Sequence, residues 1–325
     1  MLDIRPFHPS ETEYEAIVAI SNANWSDNPK TIAGEKHADA NRNPTYFFKR
    51  LVGELSGEII AIGECGETFW LAELDQYFWH FNILPSYVGQ GFEEQMYDFL
   101  MALLAKRHPR KFFVGMRDDK LEQVRFIEAC GYRLIQTEPT SYLDVESFEA
   151  IRFSQTLACV AQLGIQIFDV HQLQQVDPEW MPKLWELQWK VRQDVPQTGQ
   201  ATREPFEEFK QRVTDPNHYD PKSHFVAVHQ SDEDDDKIGS YVGMTRLTYN
   251  TVDPTVGDTH LTGVVRSYRR KGIATALKVH AITVAKTQGA KRINTMNNET
   301  NPMLGLNVCL GFKAGPSWHY YEKVL

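Results

Sequence analysis

Residues 258–286 read DTHLTGVVRSYRRKGIATALKVHAITVAK: a β-prone apolar stretch that ends at Val265, a cationic turn, and a helical pattern that starts near Gly272. A strand, a turn and a helix are predicted in that order. The turn, Arg269-Arg270-Lys271-Gly272-Ile273-Ala274, places small or flexible residues where backbone N–H groups can face a ligand at the positive end of the helix, which suits phosphate. It is neither a P-loop, which needs Gly-x-x-x-x-Gly-Lys-Ser/Thr, nor a Gly-x-Gly-x-x-Gly dinucleotide turn. The surroundings agree with an anion site. From Thr259 to Asn298 there is no carboxylate, whereas Arg266, Arg269, Arg270, Lys271, Lys278, Lys286, Lys291 and Arg292 all fall there. The plainer alternative is a solvated basic helix face.

The same order of elements occurs earlier in the chain. Gly89-Gln90-Gly91 opens an amphipathic stretch, followed by strand-like KFFVGM and helical LEQVRFIEACGY. In the second half Gly272-Ile273-Ala274 opens ALKVHAITVAK, then RINTM and NPMLGLNVCLGF. The halves also begin alike, LDIRPF before TEYEAIVAISNAN and GIQIFDV before DPEWMPKLWELQWKVRQ. SHFVAVHQ and KIGSYVGMTRLTY read as strands matching EIIAIGEC and YFWHFNI of the first half. Two copies of one α/β (α+β) unit are therefore expected, residues 1–150 and 151–325, with a helical stretch around 145–163 bridging them.

Length and composition set the bounds. The 325 residues suit two ordinary domains, and 42% hydrophobic with 24% charged residues describes a globular chain. No apolar run approaches a membrane span and the start lacks a signal-peptide pattern; the four scattered cysteines show neither a disulfide framework nor metal-ligand spacing. A cytoplasmic protein with no membrane partner is expected. Net charge is −9, which argues against nucleic acid as a partner, but it is uneven: residues 1–150 carry net −10 and residues 151–325 net +1. The 11 histidines show no paired metal spacing and no Ser or Cys has a nucleophile's partner pattern, so neither a metal nor an acyl-enzyme is expected. SDEDDDK (231–237) reads as a solvated hairpin tip. Trp185 and Trp189 share one helix face and read as core, with an aromatic substrate wall as the alternative.

Arg269-x-x-Gly272-x-Ala274 after an apolar strand resembles the pyrophosphate signature of the GNAT superfamily of N-acetyltransferases, Gln/Arg-x-x-Gly-x-Gly/Ala. The resemblance in element order covers nearly the whole chain twice. It implies two tandem GNAT folds, each a mixed, mostly antiparallel central sheet flanked by helices. Mycothiol synthase has this tandem architecture, although no residue here singles out its substrate. The first copy departs from the pattern: Ser86 stands in for the Gln/Arg, and Glu93 and Glu94 follow directly on the turn, where a pyrophosphate needs positive potential. A degenerate, scaffolding first copy is expected.

For the second copy the resemblance implies an acyl-CoA co-substrate, with backbone groups of Val264 and Val265 pairing with the pantetheine arm. The phosphates would fall to Arg269, Arg270 and Lys271 and to the N–H groups of Gly272, Ile273, Ala274 and Thr275, with Asn301 also on the acyl-CoA side. The acyl group, acetyl from acetyl-CoA, would pass to a small-molecule primary amine by direct attack. Asn307 occupies the place where many relatives carry a Tyr general acid, and an amide cannot give a proton to a thiolate. His260, read as sharing a strand face with Thr262 and Val264, is a candidate base, with a half-buried strand histidine as the plain reading. Glu299 is a second candidate, with helix-start capping as its plain reading. Tyr320, Tyr321 and Glu322 reach the site if the last strand packs there. The alternative function is a non-catalytic acyl-CoA-binding or protein-interaction module. The chain is expected to be a monomer (an internal pseudo-dimer) or a homodimer.

Overall fold

A computed structural model describes residues 1–68, 75–195, 201–216, 219–230 and 238–325; the predicted hairpin tip at 231–237 lies outside them. The described chain forms two compact units. One comprises Met1–Thr137 together with Ser317–Leu325, and the other runs from Glu138 to Pro316.

The first unit contains β1 (Asp3–Pro6), α1 (Glu11–Asn24), α2 (Ile32–Ala40), β2 (Phe48–Leu55), β3 (Glu58–Glu67), β4 (Gln76–Ile83), α3 (Phe92–Ala105), β5 (Lys111–Arg117) and α4 (Leu121–Ala129). Ser10 starts α1 by accepting the Glu13 N–H, and Tyr14, Ile17 and Ile20 bury one helical stripe against Val52 and Ile62 of the sheet. The strands run β1-β2-β3-β4-β5, antiparallel except for the β4/β5 pair. β6 (Arg133–Asp144) begins in this unit and ends in the second.

The second unit continues with α5 (Ser154–Gln162), β7 (Ile165–Asp169), α6 (Val170–Val176), α7 (Trp180–Arg192), α8 (Phe206–Thr214), β8 (His224–His229), β9 (Ser240–Tyr249), β10 (Val256–Thr259) and β11 (Gly263–Val264). Then come α9 (Ile273–Thr287), β12 (Arg292–Met296), α10 (Met303–Leu310) and β13 (Lys313–Val324). Its order is β7-β8-β9-β10-β12, with β10/β12 parallel and β11 paired to β9. On one side of the sheet, Ile273, Leu277 and Ile282 of α9 are buried in a core with Val242, Ile293 and Phe312. On the other, Leu184 and Leu187 of α7 pack with Phe209 of α8, Val226 and Met244.

The last strand of each sheet comes from the other half of the sequence. Residues Trp318–Val324 of β13 pair with β5 in the first unit, and Thr140–Asp144 of β6 pair with β12 in the second. The division expected at 150/151 is thus displaced: the units part at Thr137/Glu138, and the C-terminal residues belong to the first because their hydrogen bonds run to β5. The stretch expected to bridge the copies folds as a short 3-10 turn and α5 inside the second unit, where Val160 is buried. The repeat is also shifted by one strand. β4, parallel to β5, is the counterpart of β10, parallel to β12, so β9 matches β3 and β8 matches β2, a strand that alternation alone did not reveal.

Candidate active site

The parallel pairing of β10 with β12 ends at Thr259↔Thr295. Between Thr259↔Leu247 and Gly263↔Met244 this chain advances four residues against three on β9, so one extra residue bulges out and the strand read as continuous through Val265 is interrupted. β11 then follows β9 alone, and a fork opens between β11 and β12. The bulge overturns the expectation that His260 and Thr262 share a face. His260 Nε2 lies 2.6 Å from Thr248 Oγ1, whereas Thr262 Oγ1 lies 2.7 Å from Thr245 Oγ1. Positions 245 and 248 project from opposite faces of β9.

Val265 N–H bonds the Val242 carbonyl at 2.8 Å, which by ladder alternation turns the N–H and C=O of Val264 away from β9 and toward the fork. The Val264 carbonyl accepts from Arg269 Nε at 2.9 Å, and Arg269 Nη2 reaches Asp194, which Arg266 also grips. These hydrogen bonds, that from Arg266 foremost, hold the Asp194 carboxyl below the usual carboxylate range. The Arg269 guanidinium is therefore engaged within the turn. Arg270 and Lys271 are exposed beside the start of α9.

Gly272 and Arg270 both take left-handed φ, +82° and +62°, folding the turn so that α9 starts with no side chain on its first N–H groups. A Cβ on Gly272 would stand 2.7 Å from Thr156 Cγ2, so the packing of α5 also demands glycine there. The N–H groups of Ile273, Ala274 and Thr275 open the helix and carry its positive end.

Asn307 is fully buried on α10. Its Nδ2 donates to Asn297 Oδ1 at 2.6 Å, and its Oδ1 has no hydrogen-bond partner. Asn301, just before the N-cap Pro302, accepts the N–H of Met303 on its Oδ1 at 3.0 Å, so it and not Glu299 meets the start of α10. Glu299 is exposed in the preceding turn. Tyr320, Tyr321 and Glu322 belong to the first unit: their strand pairs with β5, Tyr321 is buried in that unit's core, and Glu322 is ion-paired with Arg133 at 2.5 Å.

A cationic cluster that no spacing announced lies next to His260. Arg246 of β9 stands opposite His224 of β8, and the Arg246 carbonyl accepts the His260 N–H at 2.8 Å. The Arg246 guanidinium lies 5.1 Å from the Tyr219 ring centroid, and Tyr219 Oη is 2.8 Å from His224 Nδ1. Arg212 of α8 grips both oxygens of Glu204, at 2.9 and 2.8 Å. Burial, then Arg246 and Arg212, pushes His224 well below its ordinary value. His260 is exposed by surface area, yet crowding by protein and then the same two arginines push it down to about 4. Both imidazoles are neutral at neutral pH. Trp185 of α7 packs edge-on against Phe206 and donates Nε1–H to the Glu204 carbonyl at 2.9 Å. Among the described residues, no group of three or more His, Cys, Asp or Glu is placed to hold a metal ion, and no helix is long and apolar enough to cross a membrane.

The corresponding turn of the first unit keeps the shape and loses the charge. Pro85–Tyr87 matches the 3-10 turn Arg266–Tyr268, Gly89 and Gly91 take φ +78° and +82°, and α3 begins at Phe92. This register puts Val88, not Ser86, in the place of Arg269. Glu93 Oε1 accepts the Gly89 N–H at 2.8 Å, so a carboxylate occupies the anion seat.

Residues 181–306 match the model of the acetyltransferase (GNAT) family. Among curated proteins, none matches the sequence. Of solved structures, a tandem GNAT protein from the clavulanic acid biosynthesis pathway is similar over 100% of this chain and 98% of its own, with TM-score 0.75 at 15% identity. A GCN5-related N-acetyltransferase from Sphaerobacter thermophilus is similar over 99% and 95%, with TM-score 0.70 at 16% identity. A glucosamine N-acetyltransferase region of a fungal multi-domain β-N-acetylglucosaminidase is similar over 99% of this chain and 38% of that one, with TM-score 0.72 at 13% identity. Residues 181–306 are thus similar to the GNAT acetyltransferase family, and along its whole length the chain has the fold of a tandem GNAT protein.

Proposed function

We propose that the protein is an acyl-CoA-dependent N-acyltransferase, moving acetyl from acetyl-CoA to a primary amine in the second unit. One observation carries the reading: the fork between β11 and β12 leads to the uncapped, cation-flanked start of α9. The buried Asn307 Oδ1 without a partner fits a bound ligand that brings a donor to it, since leaving such an acceptor unpaired costs about 1–3 kcal/mol. The first turn of α9, with Arg270 and Lys271, would take the phosphates, and the fork-facing N–H and C=O of Val264 would align the pantetheine arm. Bound acetyl-CoA supplies an activated thioester. The protein's own part is then to fix the direction of amine attack and to move one proton. His260, neutral and hydrogen-bonded to Thr248, is in the protonation state to accept it directly or through one water.

The second reading, a non-catalytic acyl-CoA binder, is favoured by Asn307, which holds Asn297 and has no proton to give a thiolate. CoA release from acetyl-CoA across a panel of amines, polyamines, amino acids and aminoglycosides separates the two. Turnover on any acceptor supports the enzyme; calorimetric acetyl-CoA binding with no turnover on any of them supports the binder.

A further inference from the structure

The first unit has a fork of its own. β4 and β5 pair in parallel only from Gln76↔Lys111 to Phe78↔Phe113, and β4 then continues to Ile83 and β5 to Arg117 without that pairing. The gap holds a cavity of about 270 Å³. Its wall is aromatic and apolar, with Trp25, Trp79, Phe81, Phe126 and Met116. These rings are locked in place. Trp79 Nε1–H donates to Tyr132 Oη at 2.7 Å, Trp25 Nε1–H to Asn82 Oδ1 at 3.0 Å, and Phe81 stacks on Trp79 with centroids 5.7 Å apart. A hydrophobic cavity of about 150 Å³ is enough for benzene, so this one has room for a ring and a short chain.

The mouth of the cavity selects by charge. In the second unit the equivalent place carries Arg270, Lys271 and bare helix N–H groups; here Glu93, Glu94 and Glu122 line it. Glu93 already takes the Gly89 N–H, and Val88 replaces the arginine. Two lining groups of opposite sign already have partners: Lys120 Nζ donates to the Asn24 carbonyl at 2.9 Å and lies 5.1 Å from the Trp25 ring centroid, one cation against the three carboxylates, and His80 pairs with Glu64 at 3.0 Å. A phosphate-bearing ligand meets repulsion there, and an ammonium group meets carboxylates.

We propose that the fork of the first unit binds a small amphiphilic amine, with its aromatic ring among Trp25, Trp79, Phe81 and Phe126 and its ammonium at Glu94 and Glu122. The copy then departs from the second not by losing a site but by exchanging an anionic ligand for a cationic one. This site is independent of the acyl-CoA reading of the second unit.

The test is calorimetry on the full chain with 4-phenylbutylamine, against 4-phenylbutyrate, the same ring and chain with a carboxylate. The amine is expected to bind with Kd below about 1 mM, and the carboxylate at least tenfold more weakly. Met116→Trp, which fills the cavity, should abolish amine binding, and the surface double variant Glu94→Gln/Glu122→Gln should weaken it about tenfold while leaving thermal unfolding unchanged. If Met116→Trp proves unstable, the double variant decides alone. Equal binding of amine and carboxylate, amine binding untouched by either variant, no binding of the amine to the wild type, or displacement of the amine by CoA in proportion to occupancy would each overturn the proposal.

Discussion

Arg269 Nε–H donates to the Val264 carbonyl at 2.9 Å, joining the residue that opens the phosphate turn to the strand residue that faces the fork. The family signature reads this arginine as a phosphate ligand, yet here it closes a bracket between the fork, the turn and Asp194 at the end of α7. Arg269→Ala is therefore expected to lower acetyl-CoA affinity about tenfold, or ~1.4 kcal/mol, by loosening the turn. Asp194→Asn should reproduce part of that loss although it touches no phosphate. Calorimetry on both variants checks it; a normal affinity for Asp194→Asn would return Arg269 to direct phosphate contact.

The acid limb of the rate profile should lie low. With His260 held down to about 4, its own ionisation puts an acid limb near 4 and none near the usual histidine value. His260→Gln is expected to cut kcat/KM about a hundredfold or more and remove that limb, with little change in acetyl-CoA affinity. Near-normal rate in this variant would make His260 a packing residue held by Thr248.

Lys278 is 4% exposed on α9, beside the Phe312 ring, and burial pushes its ammonium down to about 7. Because the folded value lies below the unfolded one, the unfolded chain binds more protons between about 7 and 10, and stability rises with pH across that window. The gain expected from this group is on the order of 3 kcal/mol, read from urea unfolding at a series of pH values. In Lys278→Met that rise should disappear and stability at pH 7 should increase. An unchanged slope would mean the amine finds water or a partner.

In the first unit, Arg50, with its side chain 5% exposed, bonds Glu64 and Asp39 at 2.5 Å and Glu35 at 2.9 Å. Removing Arg50 takes away the buried cation that the three carboxylates share and leaves them to their outer partners, Glu64 to His80, Glu35 to Lys30 and Asp39 to Arg42. Arg50→Ala should cost about 3–5 kcal/mol, measured as a lower urea midpoint. Glu35→Gln, at the edge of the network, should cost less than half as much.

The second half was legible where local physics decides. The turn at Arg270–Gly272 and the α9 pattern follow from backbone demands and helical periodicity, and both stand as read. His260 was misplaced because one bulged residue shifts alternation, and alternation is all that a strand pattern contains. Arg212 and Arg246 gave no signal, since they are 34 positions apart and meet only when α8 covers β9. Ser86 was matched to Arg269 through the wrong glycine: Gly89 and Gly91 take the same left-handed φ, and only the start of α3 at Phe92 shows that Gly91 is the counterpart of Gly272.

The strand exchange also sets an order of events during synthesis. β5 of the first unit finds its neighbour only in residues from Ser317 onward, about 200 positions after Arg117, so at ordinary elongation rates its edge waits on the order of 10 to 40 s for a partner. For that interval the half that leaves the ribosome first is the half that cannot finish. The second unit, whose borrowed strand β6 precedes it, has all its residues once Pro316 has been made, so the chain completes its later half before its earlier one.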